Sequence, residues 1–155
     1  MIKYFLTRKK IRFNNHTEVI DESGNVFYNF SGNFFQTKIR LFKPDGTTLF
    51  WGRLIWSFKR RYDIFKGNEK ITSIIAKSIF TKYRYDISSF MENITYEGIL
   101  WRDEFNIMKD NIIVLSIRKP NDKKYFRVVE VDETNEEYLL MLMFTLIVAV
   151  DIPDA

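Results

Sequence analysis

The stretch EEYLLMLMFTLIVAV, Glu136 to Val150, is the longest apolar run in the chain. From Tyr138 onward it holds no charge for about 13 residues, whereas a membrane-spanning helix needs ~20. Acids flank it (Glu136, Glu137, Asp151 and Asp154) where a span would carry Lys or Arg at the headgroup layer. Thr134 followed by Glu137 has the spacing of a capping box, and acids in a first turn suit the positive helix end. Pro153 stops the helix. The run is apolar on every side, without a polar stripe, so a helix here must be enclosed by protein. It predicts a buried core helix and no transmembrane segment.

What encloses it is written in the turns. DESGN (Asp21 to Asn25), KPDGT (Lys43 to Thr47), KGNE (Lys66 to Glu69) and KDN (Lys109 to Asn111) put Gly, Asn or Asp where tight turns require positive φ. Between them lie runs rich in Phe, Ile, Val, Tyr and Trp. After Gly24, Gly46 and Gly67 the phrases end on Phe35, Phe58 and Phe80, a repeat of about 22 residues, one hairpin long. Phe50, Gly52, Leu54, Trp56 and Phe58 alternate onto one face, with Arg53 and Ser57 on the other. About twelve strands result, with turns alternating between two ends of an antiparallel sheet. A barrel of that size is too wide for its own side chains to fill. The C-terminal helix is free to plug it, and its ~24 Å length matches a strand of ~7 residues. The expected fold is therefore mainly β: a closed antiparallel β-barrel of about twelve strands around a buried hydrophobic C-terminal α-helix, one domain over residues 1–155.

Composition agrees. The chain has 155 residues, 46% hydrophobic and 17% aromatic, which excludes disorder and favours strands. It has no cysteine, so disulfides, thiolate zinc sites, cysteine nucleophiles and S-acylation are excluded. MIKYFLTRKK has its basic cluster after too few apolar residues to be a signal peptide, so a cytoplasmic protein is expected.

The order DESGNVFYNFSGNFF, KPDGTTLFWGRLIWSF, FKRRYDIFKGNEKI, closed by an apolar helix, resembles the LURP-one-related proteins. These belong to the tubby C-terminal-like group together with phospholipid scramblases. The resemblance covers essentially the whole chain and carries no catalytic motif. It implies a closed twelve-stranded barrel around a central helix. Tubby domains bind phosphoinositide headgroups through basic side chains on the barrel wall, and no residue here is matched to those positions. Scramblases add a cysteine-rich acylated stretch, a proline-rich arm and an acidic calcium segment; this chain has no cysteine and three prolines.

The net charge of +4 conceals a sorting by barrel end. One rim collects Arg12, Lys38, Lys59, Arg60, Arg61, Lys82, Arg102, Lys119, Lys123 and Lys124 against Asp103 and Asp122, about +8. The other takes Asp21, Glu22, Asp45, Glu69, Glu92, Asp110, Asp132, Glu133, Glu136 and Glu137 against Lys43, Lys66, Lys70 and Lys109, about −6. The helix enters at the acidic rim. The densest basic point is FKRRY, Phe58 to Tyr62. Lys38, Lys59, Arg60, Arg61, Lys82, Lys123 and Lys124 are the candidate residues for an anionic ligand. An anionic phospholipid or phosphoinositide headgroup fits best, with Phe58, Phe80, Tyr83 and Trp101 placed to dip into the interface. The bland reading is that these are solvated turn residues with aromatics capping the core.

Chemistry is scarce. His16 is the only histidine, expected at the surface or hydrogen-bonded. No nucleophile turn, phosphate loop, dinucleotide fingerprint or calcium-ligand spacing occurs. No enzyme, metal or cofactor is expected. Nucleic acid is disfavoured because the cations sit at turns instead of lying among aromatics on one sheet face. The expected function is a non-enzymatic binding module, cytoplasmic and peripheral at a membrane. The alternative is a protein-interaction or scaffold domain that binds no lipid.

Overall fold

The computed structural model describes residues 1–11, 14–32, 38–55, 61–76, 85–86, 94–99 and 104–151. Twelve strands precede one helix: β1 Ile2–Ile11, β2 Asn14–Ile20, β3 Val26–Gly32, β4 Lys38–Phe42, β5 Thr48–Ile55, β6 Arg61–Lys66, β7 Glu69–Ala76, β8 Tyr85–Asp86, β9 Ile94–Ile99, β10 Glu104–Lys109, β11 Ile112–Arg118, β12 Arg127–Val131 and α1 Glu136–Asp151. The repeat-ending Phe35, Phe58 and Phe80, with Trp56 and Pro153, lie outside the described residues.

All twelve strands form one antiparallel sheet in the order β8-β7-β6-β5-β4-β3-β2-β1-β12-β11-β10-β9. Consecutive strands pair throughout except β8 with β9, and several of the joins are tight turns. Gly24, Gly46 and Gly67 have φ of 86°, 93° and 59°, while Asp110 and Asn111 take 51° and 66°. Asp21 closes its own turn, its Oδ1 accepting from the backbone N–H groups of Ser23 and Asn25 at 2.9 Å each. The one long-range join is β1 with β12, where Ile2 faces Val131 and Leu6 faces Arg127.

Closure of this order would need β8 to pair with β9, and the expected closed barrel is not what the described residues form. β8 and β9 stand at the two ends of the order and do not pair. β8 contributes only Tyr85 and Asp86, opposite Ala76 and Ile75, too little to present a second ladder.

The helix is where the apolar run requires it to be. Met141 to Ile147 are buried without interruption, two full helical turns. They share one core with Leu6, Val19, Phe30, Leu41, Phe50, Ile64, Ile74, Ile107, Leu115 and Val129, drawn from strands throughout the sheet. Thr145 is buried, and its hydroxyl donates to the Met141 carbonyl at 2.9 Å, so no polar atom is left bare there. At its start the helix differs from expectation. Asn135 is the cap, its Oδ1 accepting from Tyr138 N at 3.2 Å, where Thr134 was expected. Glu137 is consequently not a capping partner and bonds Lys109 instead. No helix among the described residues is long and apolar enough to cross a membrane.

Candidate functional site

On β4 and β5 the side chains alternate cleanly. Ile39, Leu41, Phe50, Gly52 and Leu54 are buried, so Lys38, Arg40 and Arg53 face outward and are exposed. Register then brings these cations together. Lys38 is directly opposite Arg53, and Arg40, two residues on, is opposite Trp51. Like charges facing each other across a strand pair destabilise the sheet.

A carboxylate lies near and does not relieve them. Asp63 is opposite Arg53 on β6 and only 4% exposed. Its Oδ1 accepts from the Ser73 hydroxyl at 2.8 Å and lies 3.5 Å from Lys70 Nζ. Arg61 Nε is 3.1 Å from the same oxygen, an ion pair without hydrogen-bond geometry. Among the described residues no carboxylate lies within ion-pair distance of Lys38, Arg40 or Arg53.

Aromatic rings hold the cations in place. Arg40 packs 4.0 Å from the Phe42 centroid, Lys38 5.5 Å from Trp51 and Arg53 5.7 Å from Phe65. Trp51 and Phe65, opposite each other on β5 and β6, stack at 4.3 Å and 11°. The indole is fixed further by Nε1 donating to the Gly67 carbonyl at 2.8 Å. The result is a small outward cationic face whose side chains are packed against aromatic rings.

The candidate residues read from sequence divide. Lys38 belongs to this face. Arg61 is at its edge and is occupied by Asp63. Lys123 and Lys124 are exposed in the connection from β11 to β12, four strand steps from β4, ~19 Å along the sheet. Lys124 there leans over Tyr125, 5.5 Å from its centroid. Lys59, Arg60 and Lys82, with Phe58, Tyr83 and Trp101, lie outside the described residues. Arg40, Arg53, Trp51 and Phe65 were missed. The expectation that cations keep to turns fails on β4 and β5, where arginines alternate with core residues. That alternation was the available signal; the register that opposes Lys38 to Arg53 is not readable from one strand.

Two other places hold polar groups. His16 Nε2 lies 2.8 Å from Asn29 Oδ1 on the outer face, a hydrogen-bonded surface histidine. A cavity of about 370 Å³ opens along β9 and β10, lined by Glu97, Gly98, Glu104, Phe105, Asn106 and Ile117. Its carboxylates repel an anion. Asn106 is fully engaged there, donating to Glu97 at 3.3 Å and accepting from the Ser116 hydroxyl at 2.5 Å.

Comparison with known proteins bears on the fold. The family model described as LURP-one-related matches residues 2–151. The chain is 26% identical over 122 residues to the uncharacterized protein YxjI of Bacillus subtilis (strain 168), covering 77% of this chain and 74% of that protein. An X-ray structure of an Arabidopsis thaliana protein superposes with a TM-score of 0.61 at 12% identity, covering 97% of this chain and 92% of the other. At that identity the likeness is one of fold.

Proposed function

We propose that this chain, which belongs to the LURP-one-related family, is a non-enzymatic binding module for an anionic phospholipid or phosphoinositide headgroup. The phosphate is taken on the outer face of β4 and β5. One observation carries the reading: Lys38 is held opposite Arg53, beside Arg40, with no carboxylate among the described residues within ion-pair distance of them. A fold does not oppose like charges at no cost, and a bound phosphate removes that cost. Nucleic acid is the poorer fit. Trp51 stacks on Phe65 and the neighbouring rings carry cations, so among the described residues of this face no ring is left as a platform for a base.

The finer architecture and location follow in the same reading. The sheet is a tubby C-terminal-like barrel about α1, with β8 and β9 facing each other across its break. The protein is cytoplasmic and reaches a membrane from its surface. The absence of enzymatic activity rests on the sequence: no cysteine, one histidine and no nucleophile motif.

Vesicle sedimentation tests this. The protein should pellet with phosphatidylcholine vesicles containing phosphatidylserine or a phosphoinositide, and stay soluble with phosphatidylcholine alone. Each basic residue near an anionic surface contributes ~1 kcal/mol, so Arg40→Glu with Arg53→Glu should reduce binding by well over tenfold. Soluble inositol phosphate competes if one headgroup is gripped and does not if only surface charge is felt. Equal partition onto both vesicle types, or binding indifferent to the double variant, refutes the site.

A further inference from the structure

Every large apolar side chain exposed among the described residues stands at one end of the molecule, where α1 begins. Met1 is 58% exposed, Ile2 39%, Phe27 43%, Ile112 66% and Ile113 40%. The strands bring them into proximity. Ile2 faces Val131, the last residue of β12. The next residue, Asp132, donates its N–H to the Val114 carbonyl at 2.9 Å, beside Ile113. Phe27 rests on Tyr4, the next inward residue of β1 after Ile2, with centroids 5.6 Å apart. Ile112 follows directly on the left-handed turn of Asp110 and Asn111, which holds it out at the rim.

The charge around this patch is negative and partly unmatched. Lys3, Lys66 and Lys109 already pair with Glu22, Glu136 and Glu137 at 4.0, 3.0 and 2.7 Å. Asp110, Asp132 and Glu133 remain exposed, with no cation within ion-pair distance among the described residues. They flank Ile112 and Ile113 on both sides, from the turn into β11 and from the connection into α1.

We propose that this end docks a basic amphipathic segment of a protein partner. Its apolar residues lie on Ile2, Ile112 and Ile113, and its Lys or Arg side chains meet Asp110, Asp132 and Glu133. An anionic bilayer is the wrong occupant, because the same carboxylates repel it. Grouped exposed apolar residues rimmed by charge mark interaction sites, and this charge sets the sign of the partner. The surface is separate from the cationic face of β4 and β5, so one domain can hold a headgroup and a protein segment together.

A fluorescently labelled peptide of about 18 residues, Leu and Lys in helical amphipathic order, is the probe, with a Leu and Glu peptide as control. Anisotropy should show binding of the Lys peptide alone. Ile112→Ser with Ile113→Ser should weaken it by about tenfold or more, as removal of central interface residues does. Asp132→Lys with Glu133→Lys should do the same without touching an apolar contact, while Arg53→Glu should leave it intact. Equal affinity for both peptides, no binding, or binding that survives both double variants overturns the proposal. Concentration-dependent dimerisation of the free protein that Ile112→Ser abolishes would also overturn it, naming a second copy as the occupant.

Discussion

Lys109 Nζ lies 2.7 Å and 2.8 Å from the two carboxylate oxygens of Glu137, tying the end of β10 to the first turn of α1. From the other arm of the sheet, Lys66 at the end of β6 reaches Glu136 at 3.0 Å. Two arms eight strand steps apart thus grip adjacent residues at the mouth of the helix. The bond to Glu137 raises the Lys109 pKa above its ordinary 10.5. A lysine with a raised folded value contributes stability that is complete below its unfolded pKa and lost as pH rises through the folded one. Lys109→Met should lower the urea midpoint at neutral pH. Above pH 10.5 the difference from the parent should shrink, and a constant difference across that window would contradict the assignment.

Opposing Lys38 to Arg53 makes function and stability pull against each other. Arg53→Thr should raise stability in low salt by ~0.2–1 kcal/mol, the range for a cross-strand pair, with Thr well suited to a strand. Inositol hexakisphosphate should raise the Tm of the parent and not of the variant. Thermal melts with and without the anion read both effects, and a destabilised variant would count against the repulsion.

Gly52 lies on the inner face between β4 and β6. A Cβ there would stand 2.8 Å from Ile39 Cγ1 and 3.0 Å from Ile64 Cδ1. Gly52→Ala should cost about 1–3 kcal/mol by overpacking. With Ile39→Ala in the same chain, the cost of the double variant should be less than the sum of the two single costs, as for neighbours sharing a void. Chemical denaturation of the four proteins of the cycle measures the coupling.

Burial pushes the Tyr4 phenol up to about 12, with the adjacent Tyr28 adding to the shift. The folded state holds this proton more tightly than the unfolded chain, whose tyrosine titrates at 10.0. Stability is therefore intact below pH 10.0 and lost as pH rises toward 12. Phenolate absorbance should show Tyr4 ionising late, together with loss of far-ultraviolet dichroism. Tyr4→Phe should remove this part of the alkaline transition.

The strands, their antiparallel order and the enclosed helix were legible because each rests on a local signal. Positive-φ turns occur at Gly24, Gly46, Gly67 and Asp110–Asn111, and the charge-free run from Tyr138 to Val150 had to be buried. What was not legible depends on relations between distant residues. Thr134 and Glu137 had the spacing of a cap, yet Asn135 took the role because Glu137 was drawn off by Lys109 on β10. Arg40 and Arg53 read as ordinary outward residues until register set Arg53 against Lys38. Likewise Asp63 gave no hint that it would serve Arg61, Lys70 and Ser73 in place of Arg53 across the strand.

The helix follows all twelve strands in chain order, so the filling of the molecule is made after its wall. During synthesis the strands would leave the ribosome before the helix, with their greasy inner lining uncovered. Until α1 emerges, that lining invites chaperones or aggregation in place of a finished fold. Premature termination near residue 135 would accordingly yield a sticky shell, a product for degradation and not a shortened working domain.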